Sequence, residues 1–439
     1  MKRIRIIAVL LAGLFSASYA SAQEVLTLQD AIKYALQNKA DAKKAALEVE
    51  NAEYQIDEVR GSALPQINAN GNLKYSIIIP EMAFDMGGQS ITAKMGRPWN
   101  SAMMVSLNQQ LFNQSVFTGL KAANTTREFY AINKDLTEEQ LIERVAKAYY
   151  DVFQTQLNLE TIDINLNSTT KTRDVISGLV DAGLGKKIDL DRTNVAVNNL
   201  KANRQIVVNA LELQENALKF AIGMPMDRDV ELPKETFDVN AGIVLESMNV
   251  DNRTEVLLSK KQIELLELNK KAKIADLYPK LSLGADFGWS GFGNGFPIGG
   301  DFMWPKTSSV GLNLSIPIFA GGSTKSRINQ ADIQIRQAQV ALDDTKLGLS
   351  LANDNAKAQI KNSLITINTN RSNVNLAKEV LEDTNNNYKN GLATLTELLD
   401  AENAYADAQN NLNTALLNYK VAEIQLIKAN GQLKTLINE

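Results

Sequence analysis

Histidine and cysteine are both absent from the 439 residues, so side-chain chemistry falls to carboxylates, hydroxyls and amines. Thiol and disulfide chemistry, zinc sites of the usual ligands and imidazole catalysis are excluded. Two uses of carboxylates survive: a pair cleaving a glycosidic bond, and metal sites made of carboxylates alone. The acids are scattered along helical stretches and do not converge on a cleft, so no catalytic residue, metal site or cofactor is expected. One pair stands apart. Glu397 and Asp400 lie three residues apart on one helical face. Thr394 forms a capping box with Glu397, which accounts for Glu397 without any function. The helix dipole also favours acids in a first turn. Asp400 is not explained this way, because a like charge three residues off is mildly unfavourable.

The elements that position these residues are written twice. Gly183 in "DAGLG" stands to Gly391 in "KNGLA" as Gly223 in "AIGMP" stands to Gly431 in "KANGQ", with no gap from Gly183 to Gly223 against Gly391 to Gly431. From Thr27 the text is helical, with Thr27 and Asp30 as a capping pair, and the helix runs to Gly61 before Pro65. The period then changes from helical to alternating. Four strands are expected, at about 66–78, 101–112, 280–290 and 309–318, each apolar on one face and polar on the other. Gln109 and Phe112 break the second pattern. Loops over roughly 80–100 and 290–308 join the strands into two hairpins. Residues 119–181 and 323–389 contain no proline and read as helices, each on the order of 100 Å long. The order helix, hairpin, long helix, turn, helix occurs twice, which divides the chain into repeats at 23–225 and 226–439.

The N-terminus reads as an export signal at 1–22. Lys2, Arg3 and Arg5 precede an apolar run at 6–15, and Ala20-Ser21-Ala22 offers a cleavage site. Lys and Arg number 46 against 50 Asp and Glu, a net charge of −4, so nothing marks a nucleic-acid partner. Strands of about ten residues span the hydrocarbon core of a bilayer. Four of them cannot close against lipid, since roughly eight make the smallest barrel. Either the hairpins lie outside a membrane, in an exported structural or adhesive helical rod, or several copies pool strands. Two copies would give eight strands and three would give twelve; spacing alone does not choose. Tyr75, Trp99, Trp289 and Trp304 fall near strand ends, where an interfacial belt would sit.

The sequence resembles the TolC-like outer-membrane efflux protein family. The likeness is carried by "LTLQDAIKYALQNKADAKKA" (26–45), "AGLGKKIDL" (182–190), "SIPIFAGG" (315–322), "NGLATLTELLDAENA" (390–404) and "LIKANGQL" (426–433), in that order. The resemblance implies a mainly α fold with a small β part. It implies a homotrimer whose protomers each give four strands to a twelve-stranded transmembrane barrel in the bacterial outer membrane, with long helices walling a periplasmic tunnel. It also implies partners: a periplasmic adaptor and, through it, an inner-membrane pump, as in tripartite efflux or type I secretion. By the same resemblance Glu397 and Asp400 form an acidic ring at the tunnel entrance, and Asp189 and Tyr388 make contacts that hold it shut. Gly183, Leu184, Gly391 and Leu392 mark the helix tips that meet the adaptor. The well-known family member carries an arginine where Ala393 stands, so that ionic lock is absent or made differently here.

Overall fold

The computed structural model describes residues 25–233, 239, 249–298 and 301–437. The expected signal at 1–22 lies outside them. The elements in chain order are α1 (Leu28–Asn38), α2 (Ala40–Ser62), β1 (Gln66–Tyr75), β2 (Glu81–Met86), β3 (Gln89–Lys94), β4 (Trp99–Phe112), α3 (Gln114–Asp181), α4 (Lys187–Ile222), α5 (Thr254–Ala275), β5 (Lys280–Gly293), β6 (Phe302–Met303), β7 (Lys306–Ser315), α6 (Ser323–Lys389) and α7 (Leu395–Ala429). The fold is mainly helical with a small strand part. α3 has 68 residues and α6 has 67, so each follows about 100 Å of helix axis.

α1 begins as the sequence requires. The Asp30 N–H donates to Thr27 Oγ1 at 3.2 Å, and the Thr27 hydroxyl donates to Asp30 Oδ2 at 2.5 Å. The single helix expected from Thr27 to Gly61 is, however, two. Lys39 leaves helical geometry, with φ −66° and ψ 136°. It is buried, its Nζ donates to the Phe220 carbonyl at 2.6 Å, and the ammonium lies 3.6 Å from the centre of the Phe220 ring. A tertiary anchor outweighs the local helical pattern at this position.

Two compact units divide the chain. Of the described residues, the first contains those within 25–45, 134–254 and 346–437. Its core packs Ile32 and Ala35 of α1 with Leu141, Ile142, Val145 and Val152 of α3 and Leu218 and Ile222 of α4. A second cluster joins Ile360 and Ile367 of α6 to Tyr419, Ala422 and Leu426 of α7.

The second unit contains 46–133 and 255–345, and it holds the sheet. Its helices are tied by α5: Lys261 reaches Glu128 of α3 at 2.6 Å, and Lys270 reaches Asp332 of α6 at 2.6 Å. The main strands run β1-β4-β5-β7, every neighbour antiparallel. Register puts Ala69, Val105, Phe287 and Ser308 in one row, and Asn68, Ser106, Asp286 and Ser309 in the next. Successive rows face opposite sides of a sheet, so one face is mostly apolar and the other mostly polar, with Ser308 and Gln109 among the exceptions on the apolar side. β1 and β7 are edges, exposed at all ten positions each, with no second neighbouring strand among the described residues.

Strand limits differ from expectation for local reasons. β4 starts at Trp99 and carries a register shift between Gln110 and Phe112, leaving Leu111 as the extra residue. That bulge returns Phe112 to the apolar side opposite Leu281 and so breaks the alternation there; Gln109 precedes it, in register opposite Leu283. β7 occupies 306–315 where 309–318 was expected, because Pro317 lacks the N–H to continue the ladder. Both expected loops contain strands. β2 and β3 pair across Gly87-Gly88, whose φ values of 66° and 89° suit a two-residue hairpin turn. β6 folds back on Phe292 and Gly293 of β5.

Candidate functional site

The four glycines of the repeat do the same thing. Each follows a long helix at positive φ: Gly183 at 75°, Gly223 at 76°, Gly391 at 75° and Gly431 at 74°. Each is followed by a backbone N–H returning six residues to one: Leu184 to Leu179 O at 2.8 Å, Met224 to Lys219 O at 2.8 Å, Leu392 to Asn387 O at 2.8 Å, Gln432 to Ile427 O at 2.9 Å. This is the Schellman closure, which satisfies orphan carbonyls and needs the left-handed conformation glycine adopts without cost. At the α3–α4 and α6–α7 turns the next residue projects outward: Leu184 is 80% exposed and Leu392 is 78% exposed.

Beyond the second tip, α7 opens with a capping box. The Glu397 N–H donates to Thr394 Oγ1 at 3.3 Å, and the Thr394 N–H donates to Glu397 Oε2 at 2.6 Å. The backbone N–H first, then the Thr394 hydroxyl, hold the Glu397 carboxyl below the ordinary range near 4.5. Asp400, one turn on, is exposed. Tyr388 is half-buried near the end of α6. Burial, and then the charge of Asp189, raise its phenol above the usual 10. Asp189 in the first turn of α4 is therefore close to Tyr388, without a hydrogen bond between the two side chains. The structure brings these two tips together in a way the sequence did not signal: Arg192 of α4 donates to Thr396 Oγ1 of α7 at 3.3 Å.

A second unanticipated residue is Glu402, which lies two residues past Asp400. It is 4% exposed and faces α3. Thr169 donates to its Oε2 at 2.8 Å, and Ser168 and Thr172 donate to its Oε1 at 3.0 and 3.4 Å. A cleft of about 370 Å³ opens beside it, lined also by Tyr388, Lys389 and Lys171. Among the described residues no cluster of acids could hold a metal ion.

The polar face of the sheet carries Asn68, Asn70, Asn72 and Ser106, with Asp286 as a carboxylate in the middle of β5 that accepts from Ser309 at 3.2 Å. At one end of the apolar face Lys306 stands beside Trp289, and Trp99 packs between Tyr75 and Phe296. Among the described residues no helix is long and apolar enough to cross a membrane.

Mainly helical with a small strand part, the chain shares its fold with solved outer-membrane channels. The solved Campylobacter jejuni CmeC outer membrane channel superposes with a TM-score of 0.75 at 17% identity, over 92% of this chain and 85% of that one. The family model described as outer membrane efflux protein matches residues 31–224 and 248–432. The chain belongs to the outer membrane efflux protein family, and its place is the outer membrane. It is similar to outer membrane protein TolC of Vibrio cholerae, 23% identical over 86% of this chain and 84% of that one. It is also similar to the outer membrane efflux protein BepC of Brucella suis, 24% identical over 97% of this chain and 89% of that one.

Proposed function

We propose that the protein is the exit duct of a tripartite efflux or type I secretion-like system, and that it conducts passively and catalyses nothing. The observation that carries this reading is a sheet with two free edges and one face that is mostly apolar along its length. Unpaired edge groups are untenable in lipid, so the edge strand β7 of one copy pairs with β1 of the next. Three copies make twelve strands around an open lumen, polar face inward. The paired repeats, 23–225 and 226–439, then supply a quasi-sixfold wall of long helices in the periplasm.

In this reading the helix turns are the periplasmic entrance. Leu184 and Leu392, held outward by Gly183 and Gly391, are the contacts for the periplasmic adaptor, through which an inner-membrane pump drives export. Glu397 and Asp400, tripled by symmetry, make a ring that concentrates cations. Asp189 and Tyr388 contribute to closing the entrance, and the Arg192–Thr396 contact supplies a cation there that Ala393 does not.

The chain contains no cysteine, so introduced pairs report without background. One cysteine on β1 and one on β7, scanned through register, should form disulfides between copies when Cα atoms fall within about 7 Å. A ladder of cross-linked species that stops at three supports the proposal. A ladder that stops at two, runs on without limit, or fails to form overturns it; the last outcome favours a helical rod without channel activity.

A further inference from the structure

We propose that Glu402 is a positioning residue of the entrance, a clasp that fixes the acid-bearing start of α7 against α3 and so sets the resting aperture. The inference rests on the duct reading above.

A carboxylate taken out of water is costly unless it is paired or fully hydrogen-bonded. Glu402 is 4% exposed, and among the described residues no Lys or Arg pairs with it. Among the described residues, its hydrogen-bond donors are the hydroxyls of Ser168, Thr169 and Thr172, all on α3. Hydroxyls inside helices ordinarily turn back to the carbonyl one turn earlier. At other positions of α3, such as Thr155 and Thr161, they do: Thr155 donates to Asp151 O at 2.9 Å and Thr161 to Leu157 O at 3.0 Å. The three that face Glu402 point across to it instead.

Glu402 is five residues from Glu397 and two from Asp400 on the same continuous helix. Moving that turn of α7 away from α3 therefore breaks hydrogen bonds to a charged group and strands the charge. Each such bond lost shifts the balance of closed and open forms by about tenfold or more. The adjoining cleft with Tyr388 gives the neighbouring helix room to shift when the clasp releases.

The test is single-channel recording of the full mature protein in planar bilayers. Glu402→Ala should raise the open fraction of the resting channel about tenfold or more. Ser168→Ala with Thr169→Val and Thr172→Val keeps the carboxylate but removes its donors, and should do the same. Glu402→Gln keeps an acceptor oxygen and should restore much of the closed state, while cation selectivity from Glu397 and Asp400 stays as in the wild type. Unchanged gating in both the alanine variant and the triple variant overturns the clasp. If Glu402→Ala does not assemble, the triple variant decides alone. A wild-type protein that conducts nothing removes the duct reading, and the clasp with it; a conducting wild type with indifferent variants removes the clasp only.

Discussion

Arginine at Val105 puts a guanidinium in the middle of β4, on the apolar face, in the row of Ala69 and Phe287. Arginine at Ser106, the next residue, points the other way, into the row of Asn68, Asp286 and Ser309. If the apolar face meets lipid, the first change costs about 2–4 kcal/mol per copy at the bilayer midplane. Three copies per barrel bring this to roughly 6–12 kcal/mol, enough to abolish assembly in a protein of ordinary stability. The second change faces water and finds a carboxylate opposite, so its cost is about 1 kcal/mol or less. The assay is recovery of trimer from the outer-membrane fraction after matched expression. Val105→Arg should be almost lost and Ser106→Arg should approach wild-type yield. Equal yields, or the reverse order, refute the assignment of faces and the membrane reading with it.

The glycine tips give a graded series. Gly391→Ala meets open space and suffers only the left-handed backbone penalty of about 1–2 kcal/mol. Gly223→Ala adds a Cβ only 3.2 Å from the Lys39 backbone. Hydrogen exchange should therefore show local fraying at the tip in the first variant, and a larger loss around the α1–α2 break in the second. At the entrance, Glu397→Gln with Asp400→Asn should weaken cation block and cation selectivity in bilayer recordings; unchanged selectivity removes the ring. Because the Glu397 carboxyl lies below its ordinary range near 4.5, the charged form is favoured in the folded state. Its contribution is complete above that ordinary value and disappears only as pH falls through the lower, folded one. The Glu397 share of cation block should thus survive acidification from about pH 7 to near 4.5. Thr394→Ala removes the hydroxyl but leaves the backbone N–H, so it should move the loss part of the way to higher pH.

Periodicity made most of the fold legible. The long proline-free stretches are helices, and the alternating segments are strands whose apolar positions share one face. Repeated glycines marked the turns because the left-handed closure is a backbone requirement that few other residues meet. Most of what escaped depended on partners distant in sequence. The break at Lys39 is set by Phe220. The β2–β3 hairpin was readable from Gly87-Gly88 between short alternations, but a long apolar-bearing loop hid it. Glu402 in "LLDAENAY" looks like any helical surface acid, because nothing near it reveals that Ser168, Thr169 and Thr172 lie opposite. Arg192 is equally silent until α4 and α7 are brought side by side.

Underlying the whole account is the claim that identical copies lend strands to one another to enclose a water-filled lumen. Conductance of the purified protein in a planar lipid bilayer tests it most directly. The account predicts discrete, long-lived current steps of one unit size. Protein that inserts and folds yet leaves the bilayer silent would contradict it.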